Sequence, residues 1–204
     1  ALPTSWQALT TPAFAGQYTV PGKGTLGSGT NLIVIAQILS PYRDDHGDLG
    51  VSEAGWTALA NYFKNGVQLK PNELFAQPVN DDRAKIGYTF SSDLANIPNT
   101  FKWQPQVITP TDGVPVATEQ IGLVNKSGNT KTAEAFANWF GSAKVQAAWA
   151  KQFHINTLNQ QAQTSVPAFQ KQLAQQVKIH NIDVNWYNKY VDQWVEKINL
   201  NDLK

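Results

Sequence analysis

The chain has 204 residues, of which 42% are hydrophobic and 11% aromatic, and its formal net charge is +1 at pH 7. This length suffices for one full domain or two small lobes, and the near-neutral charge with scattered lysines argues against nucleic-acid binding. The absence of cysteine excludes disulfides and thiolate metal sites, and no apolar run reaches the roughly 18–20 residues that span a bilayer.

The chain begins at Ala1-Leu2-Pro3 with no initiator methionine and no signal peptide, which predicts processing or truncation upstream. Residues 17–20 are typical of a short strand, and the following loop, Gly22 to Gly27, matches the pattern G-x-G-x-x-G. A dinucleotide fold next requires a second strand that ends in an acidic residue. The sequence instead predicts a polar turn over residues 42–50, so we expect no nucleotide cofactor.

A largely buried helix is predicted from Ser28 to Leu39, because apolar residues surround most of its circumference. The first main-chain N–H groups of a helix have no partner within it, and together with the helix dipole they bind phosphate, phosphonate or carboxylate groups. Ser28, Gly29 and Thr30 are therefore a candidate anion site. The alternative is a helix that Ser28 caps itself, with nothing bound.

The segment 44–48 carries Asp44, Asp45, His46 and Asp48, which are potential metal ligands. It does not fit a calcium-binding loop, because Leu49 stands where glycine is required, so a solvated acidic turn is favoured and no metal site is expected. Ser52 is a suitable N-cap for the next helix, whose predicted apolar face contains Trp56, Leu59, Ala60 and Phe63. Asn65-Gly66 predicts a left-handed cap at its end.

Three strands are predicted next, over residues 84–90, 106–109 and 116–125. The first places the hydroxyl groups of Tyr88, Thr89, Ser91 and Ser92 at the carboxyl end of a strand, where open α/β sheets bind ligands. The alternative is a strand that runs into a serine-capped helix.

Helices dominate the rest of the chain, and together with the strands they predict an α/β protein. Asn129 or Thr130 caps a helix with the face Ala133, Phe136, Ala137 and Phe140, and further helices follow from Ser142, around Phe169 and after Asp183. Trp56, Trp139, Trp149 and Trp194 lie on apolar helix faces and are predicted to be core residues. His46, His154 and His180 belong to no catalytic motif, so we expect a protein that is not an enzyme.

In this order, the segments resemble the bacterial extracellular solute-binding proteins of ABC importers, in the branch that serves ferric ion, thiamine, polyamines and phosphonates. The resemblance covers essentially the whole chain. Each motif is only loosely matched by itself, but the six together in this order are specific for the family. They are Pro3-Thr4-Ser5-Trp6 to Gln17, Ser28-Gly29-Thr30, Glu53 to Gly66, Gly113 to Lys126, Asn129 to Phe153, and Asp183 to Ile198.

The resemblance implies a type II periplasmic-binding-protein-like fold with two α/β lobes that close on a ligand. Residues 1–115 would form the second lobe, and residues 116–204 the return strand and carboxy-terminal helices of the first lobe, whose amino-terminal part is absent. We therefore expect helix faces such as those of Phe136 and Trp149 to be uncovered, and the chain to be unstable, rearranged or self-associating.

The resemblance also implies roles for single residues. Ser28, Gly29 and Thr30 match the family's anion-binding helix start, and Glu119 on the return strand could meet an amine of the ligand, the alternative being a hinge hydrogen bond. Tyr88, Thr89, Ser91 and Ser92 fall where ferric-binding relatives place an adjacent tyrosine pair. Because threonine follows Tyr88, that pair is missing here, which argues against ferric ion.

The predicted function is capture of a small polar, anionic solute, such as a phosphonate or phosphate ester, for an ABC permease, in a periplasmic or membrane-tethered extracellular protein. A ferric-ion binder of the same fold is the first alternative. A nucleotide-dependent enzyme that uses the glycine loop and an adhesive surface domain are the others.

Overall fold

The computed structural model describes residues 2–22, 24–117, 120–124 and 128–200. The α-helices in these ranges are α1 (Gly29–Leu39), α2 (Glu53–Asn65), α3 (Gln77–Asn80), α4 (Ile97–Phe101), α5 (Thr130–Phe140), α6 (Ala143–Phe153), α7 (Ala168–Gln176) and α8 (Val184–Leu200). The strands are β1 (Thr19–Val20), β2 (Arg43–Asp48), β3 (Val67–Gln68), β4 (Val114–Pro115) and β5 (Ile179–His180). No helix among these is long and apolar enough to cross a membrane.

The chain forms two compact units. The first unit consists of Ala1–Thr89, Gln104–Val116 and Val177–Lys204, and the second of Phe90–Trp103 and Ala117–Gln176. These units do not follow the chain-order division at residue 115, because α8 packs with the amino-terminal segments and residues 90–103 join the later helices. The assignment of 1–115 and 116–204 to two lobes stays a prediction.

Parallel strand pairs organise the first unit. β1 pairs with β3 in the register Thr19 to Val67, and Tyr18 forms a parallel bridge to Ile86 on the other side. A second parallel pair joins β4 to β5. Parallel neighbours require a crossover connection, which α1 and α2 provide between β1 and β3. The predicted α/β class is confirmed.

The core of the first unit is built around α1. Val34, Ile35, Ala36, Ile38 and Leu39 are all buried, which confirms the prediction of a largely buried helix. α1 packs against both α2 and α8. Because the carboxy-terminal half of α1 is packed in this core, the position of its amino terminus is fixed.

Three tryptophan side chains hold one turn against α2 and α8. Each indole N–H donates a hydrogen bond to one of three successive main-chain carbonyl oxygens. The pairs are Trp56 to Asp48 (3.1 Å), Trp194 to Leu49 (3.0 Å) and Trp186 to Gly50 (2.9 Å). Because Trp186 and Trp194 are also buried in the core, α8 is an integral part of the first unit.

The strand predicted over residues 17–20 is confirmed as β1, whereas the three strands predicted later in the chain are largely absent from the described residues. Residues 84–90 contribute only the bridge at Ile86, and residues 106–109 form no strand. Within 116–125, the described residues have no regular structure, and Thr118, Glu119 and Asn125 lie outside the described ranges. A strand exists only where a neighbour takes its hydrogen bonds, and these segments find almost none. Conversely, the predicted polar turn contains β2, which bridges to Val51.

The predicted left-handed cap after α2 is also wrong. Gly66 has φ −88° and ψ 159°, so the chain is extended and leads directly into β3. A Cβ atom at Gly66 would lie 2.2 Å from Cγ1 of Val20. Glycine is needed there for space and not for a positive φ.

The second unit contains α5 and α6, which both begin where predicted, after Asn129 and Ser142. α5 buries none of its residues. The expectation that Phe136 and Trp149 are uncovered is confirmed, since their side chains are 53% and 39% exposed. Trp139 is 57% exposed, so the prediction that it and Trp149 are core residues is wrong, because among the described residues this side of the two helices stays open to solvent.

Candidate functional site

The amino terminus of α1 combines one capped amide with two that remain unpaired. Ser28 is extended and its Oγ accepts a hydrogen bond from the main-chain N–H of Asn31, at 3.4 Å. Among the described residues, no group accepts a hydrogen bond from the N–H groups of Gly29 or Thr30. The self-capping alternative therefore accounts for one amide and leaves two donors available.

The space around these two donors is open. Ser28 and Gly29 are exposed, and a Cβ atom built on Gly27 or Gly29 would meet no heavy atom within 4 Å. The N-terminal end of a helix also carries a partial positive charge from the aligned peptide dipoles. This end of α1 can accept an anionic group without displacing a side chain.

Asn31 connects the start of α1 to two other segments, one that contains Tyr88 and one that contains Thr25. Its Oδ1 accepts a hydrogen bond from the Tyr88 hydroxyl at 2.7 Å, and its Nδ2 donates one to the carbonyl oxygen of Thr25, also at 2.7 Å. The Asn31 side chain is only 8% exposed. The structure thus brings Tyr88 together with residues 28–30 through a residue that the sequence analysis missed.

A signal for Asn31 was present in the sequence. It is the only strongly polar residue in the run from Asn31 to Ala36, and it occupies the third position of a helix that is otherwise apolar there. A polar side chain at such a position indicates a hydrogen-bond partner, because burying an unpaired amide costs free energy.

The phenol of Tyr88 is held in its neutral form. Burial raises the pKa of Tyr88 above its ordinary value, and its proton is donated to Asn31. Behind it, Tyr62 is fully buried, and burial followed by the nearby phenols of Tyr88 and Tyr18 raises its pKa as well. Tyr88 is therefore suited to act as a hydrogen-bonding group and not as a phenolate.

The remaining predicted ligand residues are distributed differently. Thr89 belongs to the first unit and is half-buried. Ser91 and Ser92 belong to the second unit, where they begin a short 3₁₀ helix, Ser91–Ala95. Glu119 lies outside the described residues.

In the acidic segment after α1, two of the carboxylates have partners within the first unit. Asp44 Oδ1 accepts a hydrogen bond from the N–H of His46 at 3.0 Å, and Asp48 pairs with Lys197 of α8. Within the described ranges, no group of three His, Cys, Asp or Glu side chains is placed to hold a metal ion. Of the histidines, His180 contacts Ser40 Oγ through Nε2 at 3.1 Å.

Comparison with known sequences matches residues 1–187 to the family model of the bacterial extracellular solute-binding proteins. The chain is 27% identical, over 198 residues, to a protein of Sinorhizobium fredii described as a probable ABC transporter periplasmic-binding protein. That match covers 97% of this chain but only 54% of the relative, so the chain spans about half of the relative's length.

Two solved structures share the fold. An ABC transporter protein from Clostridium perfringens superposes with a TM-score of 0.66 at 18% identity, over all of this chain and 63% of its own. A ferric binding protein from Bordetella superposes with a TM-score of 0.60 at 13% identity, over all of this chain and 64% of its own. At these identities the superpositions establish the architecture alone.

Proposed function

Since this chain belongs to the family of bacterial extracellular solute-binding proteins, with an α/β fold of the type II periplasmic-binding-protein kind, we propose that it takes part in capturing a small polar solute that carries an anionic group. The solute is a phosphonate, a phosphate ester or a chemically similar compound. The protein presents it to the permease of an ABC importer and catalyses no reaction.

The importer role rests on the relatives. The Sinorhizobium protein is named as a periplasmic-binding protein of an ABC transporter, and the Clostridium structure as an ABC transporter protein. The family is described as extracellular, which supports the proposal that this chain acts in the periplasm or tethered outside the membrane. The chain spans only 54% of the length of the Sinorhizobium relative, so the whole relative's role comes to this chain as a proposal.

The anionic class of solute rests on one observation, the two unpaired main-chain N–H groups of Gly29 and Thr30 in open space at the start of α1. Hydrogen bonds to charged groups are stronger than those between neutral ones, and the helix dipole favours the same sign of charge. Ser28 supports this role, because its hydroxyl accepts from Asn31 and keeps its own proton for donation.

A proline substitution tests this site directly. Proline is tolerated at the first helical position and lacks an N–H group, and Ser28 already has the extended conformation required before proline. Gly29→Pro therefore removes one donor while preserving α1, and Gly29→Ala keeps the donor as the matched control.

The measurement is a thermal-shift screen of phosphonates, phosphate esters, polyamines, thiamine and ferric salts, followed by calorimetric titration of the best compound. We expect Gly29→Pro to weaken binding of an anionic compound about tenfold or more, since a hydrogen bond to a charged group is worth roughly 1.5–3 kcal/mol. Equal affinities of Gly29→Pro and Gly29→Ala would contradict the anion site.

Ferric ion is the second candidate, favoured by the superposition on the Bordetella ferric binding protein. Tyr88 would be its phenolate ligand. The raised pKa of Tyr88 and its hydrogen bond to Asn31 oppose this role, as does Thr89 in the following position. A visible absorption band on adding ferric salt, lost in Tyr88→Phe, would establish iron binding in place of anion capture.

A further inference from the structure

The side chain of Asn31 joins three segments of the first unit. Asn31 lies in the first turn of α1, where its Nδ2 donates a hydrogen bond to the carbonyl oxygen of Thr25 at 2.7 Å. Its Oδ1 accepts a hydrogen bond from the hydroxyl of Tyr88, also at 2.7 Å. Asn31 is 8% exposed, and a buried amide with partners at both ends is held in one position.

The orientation of the Asn31 amide follows from its partners. A main-chain carbonyl oxygen accepts hydrogen bonds and never donates them, so the atom that faces Thr25 has to be the Nδ2 donor. The Oδ1 atom then faces Tyr88, whose hydroxyl donates to it. An ionised aspartate has the same shape but two acceptor oxygens, so at this position it would keep the contact with Tyr88 and oppose the contact with Thr25.

The carbonyl oxygen of Thr25 is the point at which the glycine-rich loop meets α1. The N–H of Ser28 also donates to this oxygen, at 3.3 Å, which closes a turn over residues 25–28 immediately before the helix. The N–H and the hydroxyl of Thr25 in turn donate to the carbonyl oxygen of Gly22, at 3.2 and 2.8 Å. Asn31 therefore holds this turn against the start of α1 through one short hydrogen bond.

We propose that Asn31 is the positioning residue of the anion site and makes it selective for negative charge, an inference that rests on the function proposed above. The carbonyl oxygen of Thr25 carries partial negative charge, and Nδ2 of Asn31 occupies it at the same end of α1 as the unpaired N–H groups of Gly29 and Thr30. The amide brings no charge of its own to the positive end of the helix dipole. A carboxylate at position 31 would take up that dipole and repel an incoming anion.

The test is calorimetric titration of the whole chain with methylphosphonate, carried out at a series of pH values. Asn31→Asp is expected to bind about tenfold or more weakly than the unsubstituted protein at about pH 7, from charge repulsion and the lost contact with Thr25. A protonated carboxyl is neutral and can donate to Thr25 as Nδ2 does. The ratio of the two affinities, in which the titration of the probe cancels, should therefore approach one as the pH falls towards about 4–5.

Two further variants separate charge from structure. Asn61→Asp adds the same charge on the exposed side of α2 in the first unit, and its affinity ratio is expected to stay near one at every pH. Asn31→Ala removes the amide without adding charge, so its affinity is expected to fall severalfold by a factor that does not change with pH. Circular dichroism at each pH checks that the helices persist, and Asn31→Ala carries the test wherever the aspartate variant is unfolded.

The outcomes distinguish this inference from the function on which it rests. If the unsubstituted protein binds neither methylphosphonate nor any other anion, the proposed function and the role of Asn31 fail together. If methylphosphonate binds and Gly29→Pro weakens it, the anion site stands. The role of Asn31 is then overturned by an Asn31→Asp affinity equal to that of the unsubstituted protein at about pH 7, by an affinity ratio that does not change with pH, or by full affinity in Asn31→Ala.

Discussion

α8 and α5 are both amphipathic helices with large aromatic residues on one face, and they have opposite surroundings. α8 buries Trp186, Trp194 and Ile198 in the core of the first unit, and two of its indole groups bond to carbonyl oxygens of the 48–50 turn. α5 buries no residue. The two sequences are alike in pattern, so the difference lies in what each helix meets.

This comparison shows that periodicity predicts a helix but not its burial. The apolar stripe of α8 meets a packed core and a turn whose carbonyl oxygens accept its indole N–H groups, whereas the stripe of α5 contacts the aromatic residues of α6 and stays largely exposed. Stabilisation from aromatic residues should therefore concentrate in the first unit, since burial supplies most of it.

The largest test of this difference is the substitution of one tryptophan in each unit. Trp194→Ala should lower the free energy of unfolding by about 3–5 kcal/mol, because it empties a fully buried site and leaves the carbonyl of Leu49 unpaired. Trp149→Ala should cost about 1 kcal/mol, the value of its aromatic contacts. Urea denaturation followed by circular dichroism measures both, and equal losses would remove the distinction between the two helices.

The turn under α8 provides a second test. Gly50 has φ 73°, and a Cβ atom there would lie 2.5 Å from the Tyr190 ring and 2.9 Å from Trp186 Nε1. Gly50→Ala should therefore cost about 2–4 kcal/mol, from left-handed strain and overpacking together. Gly24→Ala is the matched control, because Gly24 has φ 80° but no neighbour within 4 Å and should show the strain alone. Thermal unfolding measures the loss of stability in each variant. Equal losses for Gly50→Ala and Gly24→Ala would mean that α8 packs loosely on this turn.

The smallest effect concerns the residues that immediately precede the two helices, Asp183 before α8 and Asn129 before α5. Asp183 accepts hydrogen bonds from the N–H groups of Asn185 and Trp186 and pairs with Arg43, whereas Asn129 makes no side-chain cap on α5. The hydrogen bond from Trp186, aided by the charge of Arg43, lowers the pKa of Asp183 below its ordinary value. The carboxylate therefore stabilises the folded state above its unfolded pKa of about 3.9, and this contribution is lost as the pH falls through the lower folded pKa.

Asp183→Ala should consequently melt below the unsubstituted protein at neutral pH, and the gap should close as the pH is lowered below about 4. Asn129→Ala should leave the melting temperature unchanged at either pH, since no side-chain cap is lost. A gap for Asp183→Ala that is independent of pH would show that the carboxylate charge contributes nothing to α8.

The main helices and the short strand at 17–20 could be predicted from the sequence, and the later strands could not. α1, α2, α5, α6 and α8 follow from caps and apolar periodicity, which are local properties. Residues 84–90 and 116–125 have the composition of strands, but a strand also needs a neighbour for its main-chain groups. The sequence does not disclose whether that neighbour is present.

Part of the candidate site was predictable for the same reason. The helix start at Ser28, Gly29 and Thr30 is confirmed, because a helix start is a local property, and its role in binding a ligand stays a prediction. Their connection to Tyr88 depends on Asn31, 57 positions earlier in the chain than Tyr88, and only the fold brings these two together. Glu119 remains a prediction.

The hydrogen bonds from Trp186 to Gly50 and from Trp194 to Leu49 join residues 136 and 145 positions apart. During synthesis, α1 and α2 emerge from the ribosome long before α8 is made. Contacts of such large sequence separation form late in folding. The growing chain therefore carries the apolar side of α1 and α2 without the cover of α8 until residues 184–200 have been synthesised.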